Sequence, residues 1–189
     1  LQTDPDAPRP SAPPAGMAGG GRVELDMRNG NANPAPDDPA LTEVLHFAVA
    51  DAREALKLVR RNAAEWRIDP ARVGLMGFSA GGGVAVGTTM QARDEGYPDF
   101  LVSLYGPSLQ DVNLPEYAPP LFIAVGNAHF NVTNGCVALF MAWKAAGIPA
   151  ELHVYDQVSG GFGMTPRGLP IDGWTERLAE WMDARGLTA

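Results

Sequence analysis

Apolar residues recur at three- and four-residue spacing between about Leu41 and Trp66, and this period predicts a long amphipathic helix. Thr42 or an upstream aspartate is expected to cap the helix, and Asp69-Pro70 is expected to end the connection to the next element. The apolar face of the helix comprises Leu45, Val49, Ala52, Leu56, Val59 and Ala63, whereas arginine and lysine occupy the other face.

Four shorter segments predict strands, at residues 72–77, 99–105, 121–125 and 151–155, and the second of them is predicted to be buried. Helical patterns follow the first, third and fourth of these runs, to about residue 93, over residues 134–146 and over residues 172–185. Because helices and strands alternate in this order, we predict an α/β fold with a doubly wound, mostly parallel sheet that helices cover on both faces.

Residues 1–40 lack a regular period and are rich in proline, glycine and alanine, which predicts an extended arm or loop. Within it, Arg22 to Met27 alternates polar and apolar residues, and we interpret this segment as a short edge strand. The predicted organisation is therefore an arm over residues 1–40 and one core over residues 41–189.

The composition is that of a globular chain, with 46% hydrophobic and 19% charged residues. A net charge of −8 argues against nucleic acid or an anionic membrane surface as the main partner. No apolar run approaches the roughly 20 residues of a membrane span. Cys136 is the single cysteine, so no internal disulfide is expected and the cellular compartment stays open.

The motif that carries chemistry is Gly77-Phe78-Ser79-Ala80-Gly81, which has the spacing G-x-S-x-G of a nucleophile elbow between a strand and a helix. Glycine on each side of the serine removes Cβ atoms that would clash at so sharp a corner. The N–H of Ala80 would face a developing oxyanion at the positive end of the helix. The alternative is an ordinary tight turn in which Ser79 caps the helix.

Residues 60–82, 142–155 and 161–181 resemble α/β-hydrolase esterases of the dienelactone-hydrolase-like and acetyl-xylan-esterase-like group, and the resemblance covers residues 46–186. It implies ester hydrolysis by a serine, an aspartate and a histidine, with no metal or other cofactor. It further implies a small ester or an acetylated carbohydrate as substrate. Relatives have additional N-terminal strands and a second oxyanion loop, for which this chain offers only Gly19-Gly20-Gly21, alternatively a flexible linker.

The resemblance assigns Ser79 to the nucleophile and Ala80 to one oxyanion N–H, but the other two catalytic positions are not retained. The acid is expected after the strand at 121–125, where the chain reads Gly126-Asn127-Ala128-His129. The histidine is expected in the glycine-rich loop after the strand at 151–155, where Gly160 stands. Since a serine hydroxyl needs a base, loss of both groups should lower turnover by roughly 10⁴- to 10⁶-fold.

Three interpretations stay open. In the first, His129 is the base and Asp156, at the end of the neighbouring strand, orients it, so that the two roles have traded loops. In the second, the chain is an impaired or inactive hydrolase-fold protein that binds a small ligand or a partner. In the third, segments are absent from a shortened N-terminal half. Shortening would leave a sheet edge or apolar face uncovered, so we also predict a homodimer.

The other candidate residues have ordinary structural explanations. His46 is predicted to be a solvated or capping residue, and His153 a hydrogen-bonded core residue. Cys136 is predicted to be a small buried hydrophobe. No metal-ligand cluster has usable spacing. Core packing is predicted for all four tryptophans, namely Trp66, Trp143, Trp174 and Trp181.

Overall fold

The computed structural model describes residues 30–188 and contains a four-stranded parallel sheet in the order β1-β2-β3-β4. The predicted α/β fold and its parallel sheet are therefore confirmed. The predicted strand at residues 22–27 and the glycine run at residues 19–21 lie outside the described residues. The strands are Leu75–Phe78 (β1), Leu101–Leu104 (β2), Leu121–Gly126 (β3) and Ala150–Tyr155 (β4). The helices are Pro39–Arg61 (α1), Ala63–Trp66 (α2), Ala80–Thr88 (α3), Phe130–Ala145 (α4) and Trp174–Asp183 (α5), with a 3-10 turn over Pro170–Gly173.

The helix boundaries differ from the predicted ones for local reasons. Asn62 leaves helical geometry, with φ −100° and ψ 9°, and divides the predicted long helix into α1 and α2. The cap of α1 is Asp38, whose carboxylate accepts the N–H of Ala40 at 2.9 Å. Helix α3 ends five residues before the predicted Arg93, and the Tyr97 hydroxyl donates to the free carbonyl of Thr89 just beyond it at 2.9 Å.

Helices cover both faces of the sheet. On one face α3 and α4 pack against Leu101, Leu121 and Ile123, while on the other face α5 packs against Val102 and Phe122. All of these strand residues are buried, which explains why β2 and β3 are apolar except at Ser103 and lack a regular polar-apolar alternation.

The tryptophan and cysteine predictions are largely confirmed. Trp143, Trp174 and Trp181 are buried in the core, but Trp66 is 49% exposed, so the prediction of core packing is wrong for that residue. Cys136 is fully buried, and burial raises the pKa of its thiol to about 12. This thiol therefore stays protonated near neutral pH and acts as a small apolar group.

Helix α1 contacts α3 through Leu45 and Val49, and its opposite side is left in solvent. Among the described residues β1 pairs only with β2, and Met76 on β1 is 50% exposed. The homodimer expected from such uncovered surface stays a prediction.

Between residues 30 and 188 no helix has the length and apolarity to cross a membrane. The exposed apolar residues of α1 are Val44, Phe47 and Leu58.

The turn from β1 into α3 depends on close backbone packing. A Cβ atom added to Gly77 would overlap the carbonyl group of Gly81, so only glycine fits there. A Cβ atom on Gly81 would meet nothing within 4 Å among the described residues. The expectation that both flanking positions must lack a side chain is therefore correct for Gly77 and wrong for Gly81, because the first turn of α3 faces open space there.

We predict that Gly77→Ala destabilises the protein by about 3 kcal/mol, since the new methyl group must displace backbone and not a flexible side chain. The matched control is Gly81→Ala, which should change the free energy of unfolding by less than about 1 kcal/mol. Urea unfolding monitored by tryptophan fluorescence measures both. Equal stability of the two variants would contradict the packing described here.

Candidate active site

Ser79 occupies a strained corner between β1 and α3. Its backbone has φ 53° and ψ −127°, a conformation that residues with a side chain rarely adopt. The backbone N–H of Ser79 donates to the Leu104 carbonyl at 3.0 Å, and the residue is exposed. Its side chain makes no capping hydrogen bond to α3. The alternative of an ordinary helix cap is therefore not what the structure contains.

The segment after β2 presses against this corner. A Cβ atom on Gly106 would lie 2.5 Å from the Ser79 carbonyl oxygen and 2.6 Å from the Cα atom of Gly82. The Ser103 hydroxyl donates to the Gly106 carbonyl and fixes the backbone of that segment. Strain of the kind seen at Ser79 persists only where neighbouring structure enforces it, and these contacts provide the enforcement.

Helix α3 begins at Ala80, so the N–H of Ala80 has no acceptor within the helix. The positive end of the helix dipole therefore lies beside Ser79. An unpaired N–H at such a position can donate to an anionic oxygen that develops during a reaction. The arrangement supplies one hydrogen-bond donor at the corner without any contribution from a side chain.

The loops that follow β3 and β4 are bonded to each other through the main chain. The N–H of Asn127 donates to the Tyr155 carbonyl at 2.7 Å, and that of Ala128 donates to the Val158 carbonyl at 3.0 Å. Asn127 and Ala128 are exposed and carry no carboxylate. The backbone of this region is thus well ordered by hydrogen bonds although the expected acid is absent.

Gly160 lies in the second of these loops with φ +69°. A Cβ atom there would meet nothing within 4 Å among the described residues. A side chain at the position of the expected histidine would therefore have room, although the backbone conformation there favours glycine.

His129 and Asp156 lie at the same edge of the sheet as Ser79, but on different strands. Strands stand about 4.8 Å apart, so the end of β3 is about 10 Å from the end of β1, and that of β4 about 14 Å. Both side chains are exposed. Among residues 30–188 no hydrogen bond or ion pair joins Ser79, His129 and Asp156. The structure brings the three residues to one edge without connecting them.

The sequence analysis missed Tyr105, the residue that follows β2. It has φ 42°, and its ring lies 4.6 Å from that of Phe162 and 5.9 Å from that of Phe78. A positive φ at a tyrosine has no sequence signal, because glycine and asparagine are the residues that usually mark it. Its place at the carboxyl end of a central strand, where sites of open sheets gather, was the available clue.

The remaining histidines lie away from this corner. His153 accepts or donates a 2.7 Å hydrogen bond with Glu151 and stacks on Tyr155, on the edge strand β4. It is hydrogen-bonded as predicted, but with its side chain 25% exposed it is not a core residue. His46 is exposed on α1, as predicted. In the part of the chain that the structure describes, no three His, Cys, Asp or Glu residues could hold a metal ion.

Part of the chain is similar in sequence to esterases. Residues 40–120 match a family of the alpha/beta hydrolase fold. A carboxylesterase of Mycobacterium tuberculosis, NlhH, is 31% identical over 108 residues, which cover 56% of this chain and 32% of that protein. The acetylxylan esterase of Xylanibacter ruminicola is 37% identical over 168 residues, which cover 71% of this chain and 35% of that protein.

A solved structure with the same fold is the acetyl ester-xyloside bifunctional hydrolase from Caldicellulosiruptor lactoaceticus. It superimposes with a TM-score of 0.65 at 26% identity, over 75% of this chain and 66% of the hydrolase. The chain spans about one third of the length of the curated relatives that it matches. From the parallel sheet, the corner at Ser79 and these similarities, the chain is an α/β-hydrolase-fold protein related to carboxylesterases and acetylxylan esterases.

Proposed function

We propose that the protein is a carboxylic-ester hydrolase in which Ser79 is the nucleophile. The observation that carries this proposal is the backbone conformation of Ser79, φ 53° and ψ −127°, at an exposed corner directly before a helix. That conformation is typical of the strained turn of a nucleophile elbow, and backbone strain of this kind clusters at functional sites, which supports the proposal. The similarity to esterases supports the same chemistry.

In the proposed reaction the Ser79 hydroxyl attacks the ester carbonyl carbon and loses its proton to a base. The carbonyl oxygen becomes an oxyanion, which the N–H of Ala80 and the positive end of α3 stabilise. The alcohol then leaves with a proton, and water releases the acid from the acyl-serine.

For the base we propose His129, oriented by Asp156. The loops that carry them are joined by the main-chain bonds from Asn127 to Tyr155 and from Ala128 to Val158, so these two side chains can approach each other. His129 must then turn toward Ser79 across the end of β2, because a general base acts within about 3 Å of the proton it takes. Both side chains are exposed and have room to do so.

We propose acetyl esters, including those of carbohydrates, as the substrate class. The support is that one relative is an acetylxylan esterase and one structural neighbour an acetyl ester-xyloside hydrolase. Only part of each of those proteins corresponds to this chain, so the substrate is carried over from their names and not from a shared binding site.

We predict slow but measurable hydrolysis of p-nitrophenyl acetate by the intact chain and at least a tenfold lower rate for Ser79→Ala. The rates are measured by release of p-nitrophenol above the uncatalysed background, after circular dichroism has shown that both proteins are folded. Turnover that is unchanged in Ser79→Ala would rule out Ser79 as the nucleophile.

We predict that His129→Ala slows the labelling of Ser79 by a fluorophosphonate at least tenfold, because the serine then lacks its proton acceptor. The matched control is His46→Ala, which removes an exposed histidine from α1 and should label at the original rate. Mass spectrometry of the labelled peptide gives both rates. Equal labelling in the two variants would refute the role of His129.

A second candidate function is a binding module without hydrolytic chemistry. It is favoured by one specific feature, namely that Gly126-Asn127-Ala128-His129 has no carboxylate where the resemblance places the acid, and that Gly160 stands where the resemblance places the histidine. With neither group present, a small ligand could occupy the edge of the sheet without being hydrolysed. Absence of any turnover that depends on Ser79 would select this candidate.

We predict that Gly160→His combined with Asn127→Asp raises ester hydrolysis at least tenfold, because Gly160 has open space for a side chain. The matched control is Gly168→His with Asn127→Asp, since Gly168 has the same φ of +69° and is equally open. The two double variants carry the same backbone strain, so only the position of the imidazole differs. Equal rates would show that a histidine in the loop at Gly160 does not reach Ser79.

A further inference from the structure

Four aromatic rings form a continuous cluster at the edge of the sheet where Ser79 lies. Phe78 contacts Tyr105 and Trp174, with ring centroids 5.9 Å and 6.1 Å apart. Phe162 closes the cluster at 4.6 Å from Tyr105 and 6.2 Å from Trp174. Phe162 and Trp174 are each 4% exposed, whereas Phe78 and Tyr105 are partly exposed. The cluster therefore has two buried members and two partly exposed members that pack against them.

The two partly exposed residues lie beside Ser79 along the backbone. Phe78 directly precedes Ser79 in the chain, and Tyr105 follows Leu104, whose carbonyl accepts the Ser79 N–H at 3.0 Å. The next residue, Gly106, is packed against the Ser79 carbonyl. Both residues are thus directly next to the backbone contacts that hold the strained serine.

The Tyr105 ring is held in one place. Its backbone, at φ 42°, is anchored by an N–H bond to the Ala124 carbonyl at 2.8 Å. Gly161 lies so close that a Cβ atom there would be 3.0 Å from the ring. Among the described residues no hydrogen bond engages the Tyr105 hydroxyl, and the residue is partly exposed. A rigid aromatic face with an available hydroxyl is typical of the walls of small-ligand sites.

We infer that Phe78 and Tyr105 form a platform that binds the ring of the ester's alcohol part and so determines specificity for cyclic over acyclic esters. The two neighbouring rings are inclined to each other by 57°, so each presents its own apolar face, on which a sugar or aryl ring packs better than a short chain does. The Tyr105 hydroxyl can donate to, or accept from, a hydroxyl of a sugar. The inference rests on the proposed function for the location of the ester, but it concerns binding and not turnover.

The test measures binding in the Ser79→Ala protein, which should not consume the ligands. Saturation-transfer NMR titrations compare phenyl acetate and an acetylated methyl xyloside with ethyl acetate, the acyclic reference. We expect the two cyclic esters to bind about threefold to tenfold more tightly than ethyl acetate, as one aromatic contact is worth. Tyr105→Gly should abolish this preference while its backbone keeps the positive φ that glycine allows.

The matched control is Tyr117→Gly, which removes a partly exposed tyrosine that packs on Tyr97. It should leave the preference unchanged. Tyr105→Phe, which removes only the hydroxyl, distinguishes a sugar ring from an aryl ring as the natural ligand. A loss confined to the xyloside indicates a carbohydrate, whereas unchanged binding of both esters indicates that the ring face alone acts, as for an aryl ester. If Tyr105→Gly does not fold, Phe78→Leu serves in its place.

Two results would overturn the inference, namely equal binding of cyclic and acyclic esters, or a preference that survives in Tyr105→Gly or its substitute Phe78→Leu. Neither depends on hydrolysis. If the protein shows no turnover but still prefers cyclic esters, the platform is supported and the proposed esterase function is refuted. If turnover depends on Ser79 but no such preference is found, the esterase function is supported and the platform is refuted.

Discussion

The corner at Ser79 is maintained by contacts between backbone segments, and the rest of the site depends on it. Gly77 leaves room for the carbonyl of Gly81, Gly106 lies against the Ser79 carbonyl, and Leu104 accepts the Ser79 N–H. These contacts compensate for the cost of a positive φ at serine, on the order of 1–3 kcal/mol for a residue in so sparsely populated a region. They also align the first turn of α3 and the Tyr105 ring with the serine. One packing constraint therefore positions the hydroxyl, the helix dipole and the aromatic wall.

The sheet and its two covering layers were predictable because burial on both faces requires apolar residues along the strands. All the residues of β2 and β3 are buried, so both strands are apolar except at Ser103. The turn at Ser79 was predictable for a different reason, since its tight spacing demands glycine at residue 77. Both features tie the type of residue directly to local geometry.

Other features have no corresponding pattern in the sequence. The break between α1 and α2 falls at Asn62, within an apolar period that continues to Ala63, so the pattern alone predicts one helix. Tyr105 adopts φ 42° because Ala124, Phe78 and Phe162 hold it, and a tertiary contact of this kind cannot be derived from a local pattern. The separation of His129 from Ser79 likewise depends on strand order, which the pattern of helices and strands does not determine.

The paired loops after β3 and β4 have a consequence for how this protein can change over evolutionary time. Main-chain bonds from Asn127 to Tyr155 and from Ala128 to Val158 shape both loops, and no side chain at residues 127, 128 or 160 contributes to them. Folding therefore places little constraint on the side chains at residues 127 and 128, whereas the positive φ at residue 160 favours glycine. Chemistry can be lost or regained there by single codon changes while the surrounding architecture stays intact, so the scaffold serves as a reservoir of function that outlasts any one activity.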